Sequence, residues 1–208
     1  MVDASGVWHE AAGLFLILGG AVAGGEPDGP SPYRDDLQAY DPVRGTLETI
    51  GQLPHLGDEC GTVYDPDREV AYVVGCHAQG VFYRDIIEVQ PTGEARVVWR
   101  LPVGLDNTAI VYAYGYVYII GGRSHHCDPT VDLDCPEDRG LGVSTIYRWD
   151  PEVGGEAELL PERLLHQMWA TAYAVRRTGP RTEVFILTDS RLGSQMVVLD
   201  NSAAADTS

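Results

Sequence analysis

The chain has 208 residues, enough for one large domain or two small ones, and its 44% hydrophobic content allows a sizeable core. Its 31 acidic residues stand against 14 basic ones, all of them arginine, for a formal charge of −17. That balance excludes nucleic-acid binding through a basic patch, since counterion release needs clustered cations, and is read first as a solvated surface that resists aggregation.

The 24 glycines and 13 prolines are scattered among apolar runs, as suits many short strands joined by turns. The first group of segments opens with an apolar stretch at 7–12, followed by 14–20 (LFLILGG). Residues 14–23 resemble the apolar region of a secretory signal, but Asp3 and Glu10 precede them and no positive charge does, so a strand is predicted. This run, like every other, is shorter than the ~20 residues a membrane-spanning helix requires. A loop at 24–36 rich in Gly and Pro leads to a strand at 37–42 (LQAYDP) and to Leu53-Pro54.

The second group repeats the order: 61–64, a turn at Asp65-Pro66-Asp67, 70–76 (VAYVVGC), 86–91 (IIEVQP) and 95–101 (ARVVWRL), closing on Leu101-Pro102. The third runs through 108–113, 116–122 (YVYIIGG), a long loop, 144–151 (STIYRWDP) and Leu160-Pro161. The fourth has 168–174, 184–190 (VFILTDS) and 196–201 (MVVLDN) before a polar tail. No stretch has helical periodicity over ten or more residues. Pro42, Pro91 and Pro151 are 49 and 60 residues apart, and the Leu-Pro pairs 48 and 59, bracketing a period of about 50. Gly-Gly at a strand end allows positive φ and close backbone approach between crowded units. Asp-Pro ends a strand because Pro cannot donate to a continuing ladder.

Gly-Gly followed by Tyr-Asp-Pro or Trp-Asp-Pro resembles the kelch repeat, over roughly residues 5–200. The first and third groups carry it best, through Gly19, Gly20, Tyr40, Asp41 and Pro42, and through Gly121, Gly122, Trp149, Asp150 and Pro151. The second has Cys76 for the second Gly, the fourth lacks both, and aliphatic residues near Leu47 and Leu159 stand where kelch repeats commonly carry Trp. The resemblance implies an all-β, kelch-like β-propeller of about four four-stranded blades, at approximately 5–55, 56–103, 104–162 and 163–202, with 203–208 a tail. Four blades lie at the small end of the propeller range. An open array exposes two apolar blade faces, so completion by association into an oligomer or larger assembly is expected.

The 123–142 loop is longer than a hairpin requires, and long loops on rigid scaffolds commonly bind. Three readings compete for it. A Cys127–Cys135 disulfide would staple it; zinc would use His125, His126, Cys127 and Cys135; calcium would use its carboxylates. Arg123, Asp128, Asp132, Asp134, Glu137 and Asp138 are the candidate partner-binding residues of this loop. Cys60 and Cys76 flank a predicted hairpin and either pair across it or sit as buried thiols; paired cysteines tilt the setting toward secreted or lumenal, unpaired ones toward cytoplasmic. Kelch relatives include a copper oxidase with Tyr and His ligands, so Tyr112, Tyr116, His125 and His126 are weighed, without a spacing that reproduces that site. His9, His55 and His166 are read as structural or surface residues, and His77 completes the histidine set. The expectation is a non-enzymatic protein-interaction or scaffold module that binds a protein partner or itself, with no cofactor; the alternative is a propeller enzyme, a copper oxidase or glycan-processing.

Overall fold

The computed structural model describes residues 3–22, 32–124, 141–165, 172–187 and 194–200. Among these residues there are strands and turns and no helix. The first sheet is an antiparallel meander of β1 (Ser5–His9), β2 (Leu14–Leu18), β3 (Asp36–Asp41) and β4 (Thr46–Gln52). Next come β5 (Gly61–Asp65), β6 (Val70–Val74), the short hairpin β7 (His77–Ala78) and β8 (Val81–Phe82), then β9 (Asp85–Val89) and β10 (Ala95–Arg100). The hairpin stands apart, and the second sheet has the order β10-β9-β6-β5. The third combines β11 (Ala109–Ala113) and β12 (Tyr116–Ile120) with β15 (Ile146–Trp149) and β16 (Glu158–Leu159), around the hairpin β13 (Arg123–Ser124) and β14 (Leu141–Gly142). The fourth contains β17 (Ala172–Thr178), β18 (Arg181–Leu187) and β19 (Gln195–Asp200).

The first strands stand side by side, β1 by β5, β5 by β11 and β11 by β17, so the sheets succeed one another in chain order. Period-two alternation then sorts side chains between neighbours. On β6, Ala71 and Val73 pack toward the first sheet with Val7, Leu16, Leu18 and Ala39. Val70, Tyr72 and Val74 turn the other way, onto Ile110, Tyr112, Val117 and Trp149 of the third. On β12, Val117 and Ile119 face the second sheet, while Tyr118 and Ile120 meet Val184 and Ile186 of the fourth. Sheets covered on both faces need continuous apolar runs, which is why VAYVV and YVYII do not alternate with polar residues. Each large apolar side chain fully buried this way, such as Ile86 or Ile119, contributes about 1.5–3 kcal/mol.

The turns have local causes. Asp41 Oδ1 accepts from the amides of Val43 and Arg44 at 2.8 and 3.0 Å, and Asp150 Oδ1 from Glu152 and Val153 at 2.9 and 3.0 Å. Asp65 does the same for Asp67 and Arg68. Each Asp-Pro therefore closes its turn with its own carboxylate as well as ending a ladder. Between sheets the decisive residues are Gly19 and Gly75, both at positive φ (59° and 58°). A Cβ on Gly19 would sit 2.2 Å from the Gly57 carbonyl oxygen, and one on Gly75 2.4 Å from that of Leu105, in the segments leading to the next sheet.

Some boundaries differ from those predicted. The first strand ends at His9 rather than residue 12, because the Gly13 amide turns back to the His9 carbonyl at 3.0 Å. In the last group the central strand begins at Arg181, three residues ahead of the predicted start at 184, with β17 and β18 paired as far as Thr178 and Arg181, and residues 188–190 of the prediction lie outside the described residues. Cys60 and Cys76 are joined in a disulfide with Cα atoms 4.3 Å apart, and are not free thiols.

The two ends of the series are exposed. Trp8, Phe15, Tyr40 and Leu47 lie opposite one another in register across the outer face of the first sheet, with Trp8 45% and Phe15 39% exposed. On the fourth, Val184 and Ile186 point inward, and Phe185, Leu187 and Met196 occupy the opposite face.

Candidate functional site

Ahead of each of the first three first-strands lies one residue at positive φ: Asp3 at 52°, Glu59 at 54° and Asn107 at 50°. The Glu59 amide donates to the Asp3 carbonyl at 3.2 Å, and the Asn107 amide to the Glu59 carbonyl at 2.9 Å, so these residues link one sheet to the next. Beside this line opens a cavity of about 560 Å3, walled by residues 3–6, 59–62, Asn107, Thr108, Ala172 and Tyr173. Residues on or just ahead of the first strand of each of the four sheets contribute, and the Tyr173 hydroxyl reaches across to donate to the Thr62 carbonyl at 3.0 Å.

The rim is acidic and internally braced. Asp58 pairs with His77 in a short antiparallel bridge, each amide donating to the other's carbonyl at 3.0 Å, and Asp106 pairs with Arg123 in the same way at 3.0 and 2.9 Å. The Arg123 guanidinium forks onto Asp106, its Nε donating to Oδ1 and Oδ2 at 3.0 and 3.1 Å, and its Nη2 donates to Glu59 Oε2 at 2.6 Å. Such forked, charge-assisted contacts fix geometry as well as charge. Asp106 is fully buried, and that burial pushes its carboxyl up to about 7 against the opposing pull of Arg123. Burial, then the neighbouring Glu59 and Asp3 charges, push Asp58 up to about 6. The His77 Nδ1 is 3.7 Å from Asp58 Oδ1, outside hydrogen-bonding distance, and this oxygen is buried without a hydrogen-bond partner among the described residues. One ligand atom each from Asp58, Glu59 and His77 lie within 4.8 Å of one another.

Arg123 is the one residue of the predicted loop site that the structure describes, and it turns to Asp106 and Glu59. His125, His126, Cys127, Asp128, Asp132, Asp134, Cys135, Glu137 and Asp138 lie outside the described residues, as does His166. The Tyr112 hydroxyl donates to Asp67, and Tyr116 lies under the Arg148 guanidinium. His9 is buried and structural: Nε2 meets the Glu69 carbonyl at 2.9 Å and Nδ1 accepts from the Ala12 amide. His55 is stacked on Tyr83 with ring centroids 3.7 Å apart, and burial lowers its pKa against the pull of Asp85.

Asp58, Glu59 and Asp106 were not singled out by sequence reasoning, yet a signal existed. Asp stands five residues after the Leu of Leu-Pro in both LPHLGD and LPVGLD, and His77 and Arg123 each follow the small pair that ends a strand. No family model matches the chain, and no curated protein matches it either.

Proposed function

We propose that this chain is a non-enzymatic interaction module of the kelch-like propeller kind, whose series of sheets is extended head to tail by a second copy. One observation carries the reading. The row Trp8–Phe15–Tyr40 has the same place in its sheet as Tyr64–Ala71–Val89 and Tyr112–Val117–Trp149. The latter two rows pack against the preceding sheet. At the other end, Ala174–Phe185–Met196 matches Val7–Leu16–Ala39, which packs against the following sheet. These two outward-facing rows, exposed at Trp8, Phe15 and Met196 and half-buried at Phe185, thus match the two halves of an interface that recurs three times inside the chain, and apolar surface of this kind favours cover. A head-to-tail contact is heterologous and joins unlike faces. The Cys60–Cys76 bond supports a secreted or lumenal setting, where disulfides persist.

The test uses Phe15→Arg and Met196→Arg, each of which places a charge on one face only. Sedimentation should give monomers for each variant alone and a dimer for their mixture, which retains one intact pair of faces. A mixture that stays monomeric, or variants that leave the wild-type mass unchanged, would refute the head-to-tail contact.

A further inference from the structure

We infer that Asp58, Glu59 and His77 form a binding site for one divalent first-row transition-metal ion at the rim of the cavity between the first strands. Two carboxylates and an imidazole are a mixed oxygen and nitrogen donor set, suited to ions from Mn2+ to Zn2+ rather than to the all-oxygen shells of Ca2+ and Mg2+. Metal–ligand bonds of about 2.0–2.2 Å place donors on opposite sides of an ion roughly 4.2 Å apart. Donor atoms already within 4.8 Å of one another therefore need only small side-chain adjustments to close on it.

The second observation is Asp58 itself. It is 8% exposed, and its Oδ1, directed at His77, has no hydrogen-bond partner among the described residues. Buried carboxylate oxygens are ordinarily satisfied, so an unpartnered one facing an imidazole marks a place for a cation. Charge agrees: Arg123, shared between Asp106 and Glu59, offsets one of the three neighbouring carboxylates Asp58, Glu59 and Asp106, and a divalent ion would match the other two.

The backbone holds the donors in place. The Asp58–His77 bridge joins the two segments at one point, and the Cys60–Cys76 disulfide joins them again, next to Glu59 on one side and His77 on the other. Arg123, gripping Glu59 through Oε2, orients that carboxylate from behind, the part that outer partners play around metal ligands.

The probe is Mn2+ alone, which thiolates bind poorly, titrated at about 0.15 M salt to screen the diffuse acidic surface and followed by the loss of the free-ion electron paramagnetic resonance signal. The expected result is one ion per chain, with Asp58→Asn and His77→Gln each weakening binding at least tenfold. Asp200→Asn, on the exposed end of β19, should leave it unchanged. Circular dichroism melts identify variants that remain folded, and selective broadening of the His77 ring resonances by substoichiometric Mn2+ in the wild-type protein locates the ion without any substitution. No binding at millimolar Mn2+, broadening that spares His77, or a folded Asp58→Asn/His77→Gln double variant with wild-type affinity would overturn the assignment.

Discussion

Replacing both Cys60 and Cys76 by alanine removes the cross-link that ties the approach to β5 to the end of β6. The cysteines are 16 residues apart in sequence. Closing a loop of that length in the unfolded chain corresponds to about 3 kcal/mol at 25 °C. Cys76 is buried in the core between the first and second sheets, so losing its sulfur adds to the loss. For a chain of this size, about 3 kcal/mol corresponds to a fall in Tm of roughly 6–12 °C. The assay is a thermal melt of C60A/C76A and wild type without reductant, with urea midpoints as a second measure. Alanine is preferred to serine because a hydroxyl at position 76 would be a new buried polar group. A double variant melting within about 2 °C of wild type would show instead that this bond does not constrain the unfolded chain.

Other perturbations have definite outcomes. Gly19→Ala puts a Cβ against the Gly57 carbonyl at positive φ and should cost at least about 2 kcal/mol in urea unfolding. Trp149→Ala empties the core between the second and third sheets, where its ring meets Tyr72 edge-on at 5.2 Å, and should cost about 3–5 kcal/mol. Asp150→Ala removes the carboxylate that accepts from Glu152 and Val153 and should cost about 1 kcal/mol, measured by the same unfolding. The His55 pKa is held below its ordinary value of 6.5 in the fold, so as pH falls through that value the unfolded chain takes up the proton first and stability declines. His55→Gln should flatten this acid-side slope in urea midpoints measured across the interval below 6.5; an unchanged slope would place its origin elsewhere.

The repeat was legible because its spacing reflects packing: a sheet buried on both faces requires an unbroken apolar run, and close backbone approach requires Gly at positions such as 19 and 75. Boundaries were less legible. A run such as LFLILGG shows where β2 is, but the end of β1 depends on the turn-back of Gly13 onto His9, and β18 extends to Arg181 through ladder pairs that polar residues share. The rim was the least legible part. Asp58 and His77 are 19 positions apart in sequence and meet only because the approach to β5 bridges to the residue after the Gly75-Cys76 pair. Conspicuous clustering instead drew attention to the His125–Cys135 region, whereas the structural pairing of single residues on separate turns leaves only the faint echo of LPHLGD and LPVGLD.

In the proposed head-to-tail assembly the outward-facing rows at the two ends of the series meet between two copies of the chain. Light scattering of the purified chain at micromolar concentrations and above tests it most directly. A mass of two chains or more, falling to one chain on Phe15→Arg, is the predicted result, and a wild-type protein that stays at the mass of one chain over the whole range would contradict it.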